Sequence, residues 1–167
     1  MKLAHNIGIE KHSNYNTREQ ILACQDEIGF DGIYKNVYEN QDVLEGKSGI
    51  FFVMGDYLGK DNSFDLQNVP KLEQYCTLEE IKEMADKYNF KLGWHTWSHP
   101  DLTTLSDEEI RRELSCPKIF GEYLAYPYGR YDERVVRIAK EMGFKDAWSV
   151  TQGTDEPFKR FRNYIWQ

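Results

Sequence analysis

The sequence lacks the long apolar runs and targeting signals that would place a protein in or across a membrane. Its 167 residues contain no apolar stretch near the roughly 20 residues that a membrane-spanning helix needs. The N-terminus has a lysine followed by only a brief apolar stretch, without a small-residue cleavage site or a twin arginine. We therefore expect no membrane span and a cytoplasmic location.

Cysteine is also scarce. The three cysteines, Cys24, Cys76 and Cys116, are widely spaced and form no CxxC pair. An odd number of isolated cysteines does not read as a disulfide framework, which would require paired and closely organised residues. This pattern indicates a reduced protein with unpaired thiols, in agreement with the cytoplasmic expectation.

Basic and glycine-rich signatures are missing as well. The net charge is −7, and no basic run with interleaved aromatics occurs, which argues against a nucleic-acid partner. The basic cluster at residues 159–162 is too short for such a footprint. No GxGxxG or GxxxxGK[ST] segment follows any predicted strand, so nucleotide binding has no support.

What the chain does contain is the composition of a globular protein. Hydrophobic residues make up 40% and charged residues 29%, and the length suits one domain over residues 1–167. Aromatic residues are frequent at 14%, including 11 tyrosines. Most such rings pack in cores, and some can stack on the apolar faces of sugars.

Short strand-like runs alternate with helical stretches along the chain, and capping boxes at residues 77–80 and 106–109 begin two of the helices. The alternation predicts an α/β fold, an irregular or incomplete (β/α) barrel of six to seven parallel strands with covering helices. An open doubly wound sheet is the alternative. The predicted strands are KLAHNIGI, EIGF, GIFFVM, KLGW, IFGEYLAY, KDAWSV and RNYIW. Helices are also expected from Thr17 onward and over residues 33–44.

Three segments with reactive residues follow predicted strands, and reactive groups cluster at strand C-termini in βα folds. HTWSHP (95–100) places His95 and His99 four residues apart, where they can converge on one divalent ion or be two ordinary histidines, exposed at the surface or hydrogen-bonded. Asp31 follows EIGF as a base, a ligand or the start of an Asp-Gly turn. AYPYG (125–129) can aim a backbone N–H at an oxyanion, or simply connect a strand to a helix.

Together, and in this order, the three segments resemble the polysaccharide deacetylases, the NodB homology family or carbohydrate esterase family 4. FDGIYKNVYEN resembles that family's FDDGYxxxYEN segment, and HTWSHP agrees with its H[ST]xxHP motif. AYPYGRYDERV is similar to its RxPYG motif and the helix that follows. The resemblance covers the chain from about residue 28 to about residue 152.

The resemblance implies a metal-dependent hydrolase that removes an acetyl group from an N-acetylated sugar or polysaccharide. His95 and His99 would be ligands of a divalent metal, most often zinc. Asp31 would be the general base, and the Tyr128 backbone N–H would help to bind the oxyanion. His5 is the implied general acid, since some relatives place a histidine at the end of the first strand; a buried structural histidine is the alternative.

The first motif departs from the family pattern, because FDDG has two carboxylates and this chain reads FDGI. A gapless alignment places Asp31 at the position of the family's general base and Gly32 at the position of its metal-binding carboxylate. One metal ligand is then missing. Sliding the match by one residue makes Asp31 the ligand and removes the base. Asp56 and Asp101 are alternative sources of the missing oxygen ligand.

The third motif departs too, with Ala125 where the family has an arginine that orients the base. Arg160 or Arg162 could substitute from the C-terminal segment. Two further functions are therefore alternatives to an active deacetylase. One is a catalytically impaired, carbohydrate-binding relative, and the other is a hydrolase of a different C–N amide bond.

Overall fold

Seven parallel strands form the sheet in the described part of the chain, and they follow one another in sequence order. The computed structural model describes residues 5–7, 27–66, 72–151 and 153–161, with only the backbone at 5–7, 27, 28 and 65. The strands are β1 (His5–Ile7), β2 (Glu27–Asp31), β3 (Ser48–Val53), β4 (Lys91–Trp94), β5 (Tyr123–Ala125), β6 (Asp146–Ser149) and β7 (Arg160–Phe161).

The sheet curls into half of a barrel. Its strand order runs from β1 to β7, and no described ladder joins these two edge strands, so the barrel is not closed. Every ladder between neighbouring strands is parallel. The predicted incomplete (β/α) barrel is therefore confirmed. The prediction of one domain over residues 1–167 stays a prediction.

Four α-helices are described: α1 (Lys35–Glu39), α2 (Leu78–Tyr88), α3 (Asp107–Leu114) and α4 (Glu133–Glu141). Both predicted capping boxes are present, at Thr77 with Glu80 and at Ser106 with Glu109. Each N-cap contributes about 1 kcal/mol by satisfying N–H groups that the first turn leaves without partners. Among the described residues, no helix has the length and apolar character needed to cross a membrane.

Some predicted elements differ from the structure. The expected helix over residues 33–44 is divided into α1 and a 3-10 turn at Gln41–Leu44, because the backbone of Asn40 leaves the helical conformation (φ −119°, ψ 30°). The Asn40 side chain donates to the Asn36 carbonyl (2.9 Å) at this helix end. The expected strand over 119–126 is shortened to β5. The helix predicted from Thr17 and the strand predicted over 162–166 lie outside the described residues.

Alternation along the strands gives the sheet an outer and an inner face. Outer-face residues such as Phe51, Trp94 and Leu124 pack with the helices in one large core. The inner, concave face carries a smaller apolar cluster of Ile50, Phe52, Ala125 and Trp148. Because side chains alternate with a period of two, the residue that follows an outer-face residue points to the inner face.

The cysteines agree with the expectation of unpaired thiols as far as they are described. Cys76 and Cys116 are both free, and Cys24 lies outside the described residues. Burial raises the pKa of the Cys76 thiol to about 12, so the group is uncharged and packs as a small apolar residue.

Gly93 lies where the inner face of the sheet is tightly filled. A Cβ at this position would lie 2.7 Å from Phe52 Cδ1 and 3.0 Å from Ile50 Cγ2. We expect Gly93→Ala to lower the free energy of unfolding by about 1–3 kcal/mol through overpacking, measured by urea denaturation. Gly121→Ala is the matched control, since its Cβ would make only ordinary contacts, with the Lys118 carbonyl oxygen at 3.4 Å and Cys116 Sγ at 4.0 Å. Equal destabilisation by both substitutions would contradict the packing argument.

Candidate active site

Strand alternation brings Asp31 and His95 to the same face of the sheet. Phe30 and Trp94 pack in the outer core, so the residues that follow them point to the inner face at the C-terminal ends of β2 and β4. The His95 N–H still donates to the Val53 carbonyl (2.9 Å), which extends the ladder one residue beyond β4. Both side chains are nearly inaccessible, at 4% exposure for Asp31 and 2% for His95.

His95 and His99 form a buried pair. Their Nε2 atoms are 3.1 Å apart, and the ring centroids are 4.7 Å apart at an interplanar angle of 68°. His95 Nδ1 lies 2.7 Å from the Ala125 carbonyl oxygen. Because a carbonyl only accepts, Nδ1 carries the hydrogen, and in the neutral ring Nε2 therefore presents a lone pair toward His99.

The environment of His99 favours its neutral form. Burial, followed by the neighbouring His95, lowers the pKa of His99 to about 3, and the Asp31 carboxylate acts in the opposite direction. A neutral imidazole is the form that can offer a lone pair to a metal ion. The Asp31 carboxylate, on the same face of the sheet as His95, is thus the negative group that acts electrostatically on His99.

The two imidazoles fit a metal ion, and the described residues supply no complete ligand set. Two nitrogens bound tetrahedrally to one zinc ion lie about 3.3 Å apart, given Zn–N bonds of about 2.0–2.1 Å. The observed 3.1 Å separation of the Nε2 atoms is close to this value. Within the described ranges, however, no group of three or more His, Cys, Asp or Glu side chains is arranged to hold a metal.

Neither alternative carboxylate completes the set. Asp101 Oδ1 accepts from the Thr103 N–H (3.0 Å) and hydroxyl (2.6 Å), and its Oδ2 pairs with Arg130 at 2.7 Å. Asp56 is exposed. The carboxylate that the FDGI sequence lacks is thus not replaced by either of these residues.

The loop that carries the histidines has an unusual backbone. Thr96 and His99 both have positive φ, at 68° and 60°, although neither is glycine. Such conformations cost on the order of 1–3 kcal/mol each and persist only where neighbouring structure enforces them. Here the Thr96 carbonyl accepts from the Gly55 N–H (3.1 Å), and Thr96 Oγ1 accepts from the His99 N–H (3.0 Å).

Gly55, which the sequence analysis did not single out, is required by this loop. A Cβ at this position would overlap the Trp97 ring and lie 2.7 Å from Trp94 Cη2. The absence of a side chain lets the backbone after β3 pass directly beneath both rings. The only signal in the sequence is a glycine directly after the apolar run GIFFVM, which by itself predicts no more than a turn.

The third motif lies beside the histidine pair. Tyr128 has φ 57° in the 3-10 turn Pro127–Gly129, and its ring contacts His99 edge-on at a centroid distance of 4.7 Å. Its side chain is 37% exposed, so it forms part of the wall between His99 and solvent. The structure thus brings Tyr128, His95, His99 and Asp31 into one region, while the oxyanion role of the Tyr128 N–H stays a prediction.

His5 occupies a different level of the sheet. It is the first described residue of β1 rather than its last, and its backbone is in register with Ile28, three residues before Asp31. Its side chain lies outside the described part, so its role as general acid stays a prediction.

Arg160 does not take the place of the arginine that Ala125 replaces. It pairs with the buried carboxylate of Asp146 and donates to the Asp155 carbonyl at 2.8 Å. Asp146 also accepts from the Phe158 N–H at 2.8 Å. These contacts hold β7 against β6, and they do not involve Asp31. Arg162 lies outside the described residues.

The low pKa of His99 predicts a loss of stability in mild acid. The pKa of His99 is 6.5 in the unfolded chain and about 3 in the folded protein, so between these values the unfolded chain binds the extra proton. Stability from this group is complete above pH 6.5 and is lost as the pH falls, by up to about 1.4 kcal/mol per pH unit. Urea unfolding with a chelator present, between pH 7 and pH 5, measures the slope.

His99→Asn is the matched variant, because asparagine tolerates positive φ and does not titrate. We expect its free energy of unfolding to vary less with pH than that of the parent protein. Identical slopes for the two proteins would show that His99 is not the group responsible.

Comparisons with known proteins agree with the geometry. A family model described as "Polysaccharide deacetylase" matches residues 28–147. The peptidoglycan-N-acetylmuramic acid deacetylase PdaA of Bacillus subtilis is 33% identical over 162 residues, which cover 87% of this chain and 54% of that protein. An uncharacterised 30.6 kDa protein of Geobacillus stearothermophilus is 30% identical over 137 residues, which cover 74% of this chain and 45% of that protein. The chain thus spans about half the length of these relatives.

Solved structures share the fold. A deacetylase of Streptococcus pyogenes, PplD in complex with acetate, superposes with a TM-score of 0.66 at 21% identity, covering 83% of this chain and 63% of that one. IcaB from Ammonifex degensii superposes with a TM-score of 0.64 at 23% identity, covering 83% of this chain and 66% of that one. The family model extends from β2 into β6 and includes Asp31, both histidines and Tyr128. The resemblance seen in the three motifs is confirmed by this match, and the chain belongs to the polysaccharide deacetylase family.

Proposed function

We propose that the chain is a metal-dependent hydrolase that removes an acetyl group from an N-acetylated sugar or polysaccharide, with zinc as the metal. The observation that carries the proposal is the buried histidine pair, with Nε2 atoms 3.1 Å apart beside the charge of Asp31. The family and the relatives named as deacetylases support the same reaction class.

His95 and His99 would hold the ion through their Nε2 atoms. When bound, the ion supplies a Lewis acid that polarises the acetamide carbonyl and lowers the pKa of a water molecule. The Ala125 carbonyl keeps His95 in the tautomer that leaves Nε2 available. The Tyr128 ring, edge-on to His99, shields that side of the pair from solvent.

Asp31 would act as the general base. It would take a proton from the attacking water as the oxygen bonds to the acetamide carbon, and the Tyr128 N–H would donate to the resulting oxyanion. The C–N bond then breaks, acetate leaves, and the sugar amine takes up a proton. The proposed donor of that proton is His5, a candidate that rests on the sequence alone, since the structure sets its backbone in register with Ile28 rather than with Asp31.

The first test measures zinc content and acetate release together. Purified protein should take up zinc and release acetate from N-acetylglucosamine oligomers or N-acetylated polysaccharides, and a chelator should abolish the release until zinc is restored. His95→Ala and His99→Asn should each lower zinc affinity and the rate of acetate release by at least about 100-fold. Loss of a residue that only orients a metal ligand already lowers metal affinity or activity by about 10–100-fold.

Urea unfolding of both variants serves as the control for correct folding. If zinc-loaded protein released no acetate from a broad panel of N-acetylated sugars, the proposed hydrolysis would be wrong.

A second candidate function is carbohydrate binding without turnover, and one observation favours it. Among the described residues, no third His, Cys, Asp or Glu side chain joins the pair to hold a metal, and Gly32 stands where the family's FDDG motif has its second carboxylate. A site with two neutral imidazoles binds zinc more weakly than one with an added carboxylate, because it loses both a donor and a negative charge. Glycan binding that is unaffected by a chelator would support this second function.

Gly32→Asp separates the two functions. Gly32 has φ 64°, a conformation that aspartate and asparagine tolerate better than other side chains. If the missing carboxylate is the sole defect, zinc affinity and acetate release should both rise by about tenfold or more, measured by isothermal titration and an acetate assay.

Gly32→Asn is the matched control, since it places a similar but uncharged side chain on the same backbone. Equal gains from both variants would contradict a role for the carboxylate charge. No gain from either would favour the glycan-binding function.

A further inference from the structure

The loop between the two histidines is anchored to the C-terminal end of α3 by several hydrogen bonds. Glu113 Oε2 accepts from the backbone N–H groups of Trp97 and Ser98, both at 2.9 Å. Glu113 Oε1 accepts from the Ser98 hydroxyl at 2.7 Å. One carboxylate thus accepts three hydrogen bonds from Trp97 and Ser98, two of the three residues between His95 and His99.

The backbone carbonyls at the same helix end accept two more hydrogen bonds. Trp94 Nε1 donates to the Glu113 carbonyl at 2.8 Å, and Trp97 Nε1 donates to the Ser115 carbonyl at 3.1 Å. The last carbonyls of a helix have no intrahelical partner, so the two indole groups satisfy acceptors that would otherwise require water. The end of α3 therefore fixes both the side chains and the backbone of the loop.

These contacts matter because the loop is strained at both ends. Thr96 and His99 have positive φ on either side of the two residues that Glu113 holds. The His99 N–H is already bonded to Thr96 Oγ1, so Glu113 is the acceptor that keeps the intervening N–H groups in place. Without it, the loop could relax toward negative φ, and such a rotation would turn the His99 ring away from His95.

We infer that Glu113 is a positioning residue, which holds the loop in the conformation that brings the two imidazole Nε2 atoms together. It touches neither imidazole in the described contacts, and it acts through the Trp97 and Ser98 backbone. Its effect on zinc affinity rests on the proposed function, whereas its effect on the arrangement of the rings does not.

The test compares zinc affinity and ring geometry in three variants. Glu113→Ala should weaken zinc binding by about 10–100-fold, the usual effect of losing a residue that orients metal ligands, and should lower kcat more than it raises KM. Glu113→Gln should recover most of the affinity, because its oxygen can accept both N–H groups and its amide can donate to the Ser98 hydroxyl.

Glu109→Ala is the control on the same helix, because it removes the capping box and destabilises α3 without touching the loop. It should lower the Tm while zinc affinity stays at the parent value. If Glu109→Ala weakened zinc binding as much as Glu113→Ala, helix stability alone would explain the effect and the inference would fail. Parent-like affinity in Glu113→Ala would overturn it as well.

A second measurement needs neither zinc nor substrate. The His95 and His99 rings, with centroids 4.7 Å apart, should give a ring-to-ring nuclear Overhauser contact in the parent protein and in Glu113→Gln, and lose it in Glu113→Ala. If the parent protein bound no zinc, the proposed function would fail, and this contact would still decide the role of Glu113. Its persistence in Glu113→Ala would refute that role.

Discussion

The hydrogen bond between His95 Nδ1 and the Ala125 carbonyl is the interaction on which the rest of the site depends. It crosses from the end of β4 to the end of β5, so it forms only when these two strands are in the observed register, with Trp94 opposite Leu124. The bond selects the tautomer that leaves His95 Nε2 facing His99. The register of β4 against β5 therefore determines the tautomer of His95.

The same site carries an energetic cost that its neighbours offset. Thr96 is β-branched and held at φ 68°, an outlier for such a residue, and His99 has a similar backbone. The hydrogen bonds from Gly55 and Asp56 to the Thr96 and Trp97 carbonyls contribute about 0.5–1.5 kcal/mol each. The loop conformation is thus stable only within the folded sheet. Because the residues that stabilise it lie outside the motif, the two histidines alone are a weak indication of a metal site.

Features that depend on neighbours in sequence could be predicted, and those that depend on distant partners could not. The capping boxes at Thr77 and Ser106 and the placement of the histidines after β4 follow from local patterns, and all three are present. The start of α1 at Lys35 rather than at residue 33 was missed, because the extended Tyr34 just before it forms a β-bridge with Tyr75, 41 residues away. The need for glycine at position 55 was missed because the rings above it belong to another strand end.

The two departures from the family motifs balance each other in charge. Gly32 removes one negative group and Ala125 removes one positive group relative to the FDDG and RxPYG patterns. Ala125 is fully buried on the inner face beside Phe52 and Trp148, where an arginine would need a carboxylate partner to offset its desolvation. Alanine at this position carries no charge and therefore needs no such partner. Asp31 then remains as the acidic group whose charge acts on His99, so any cation bound by the histidine pair would find its neutralising charge there.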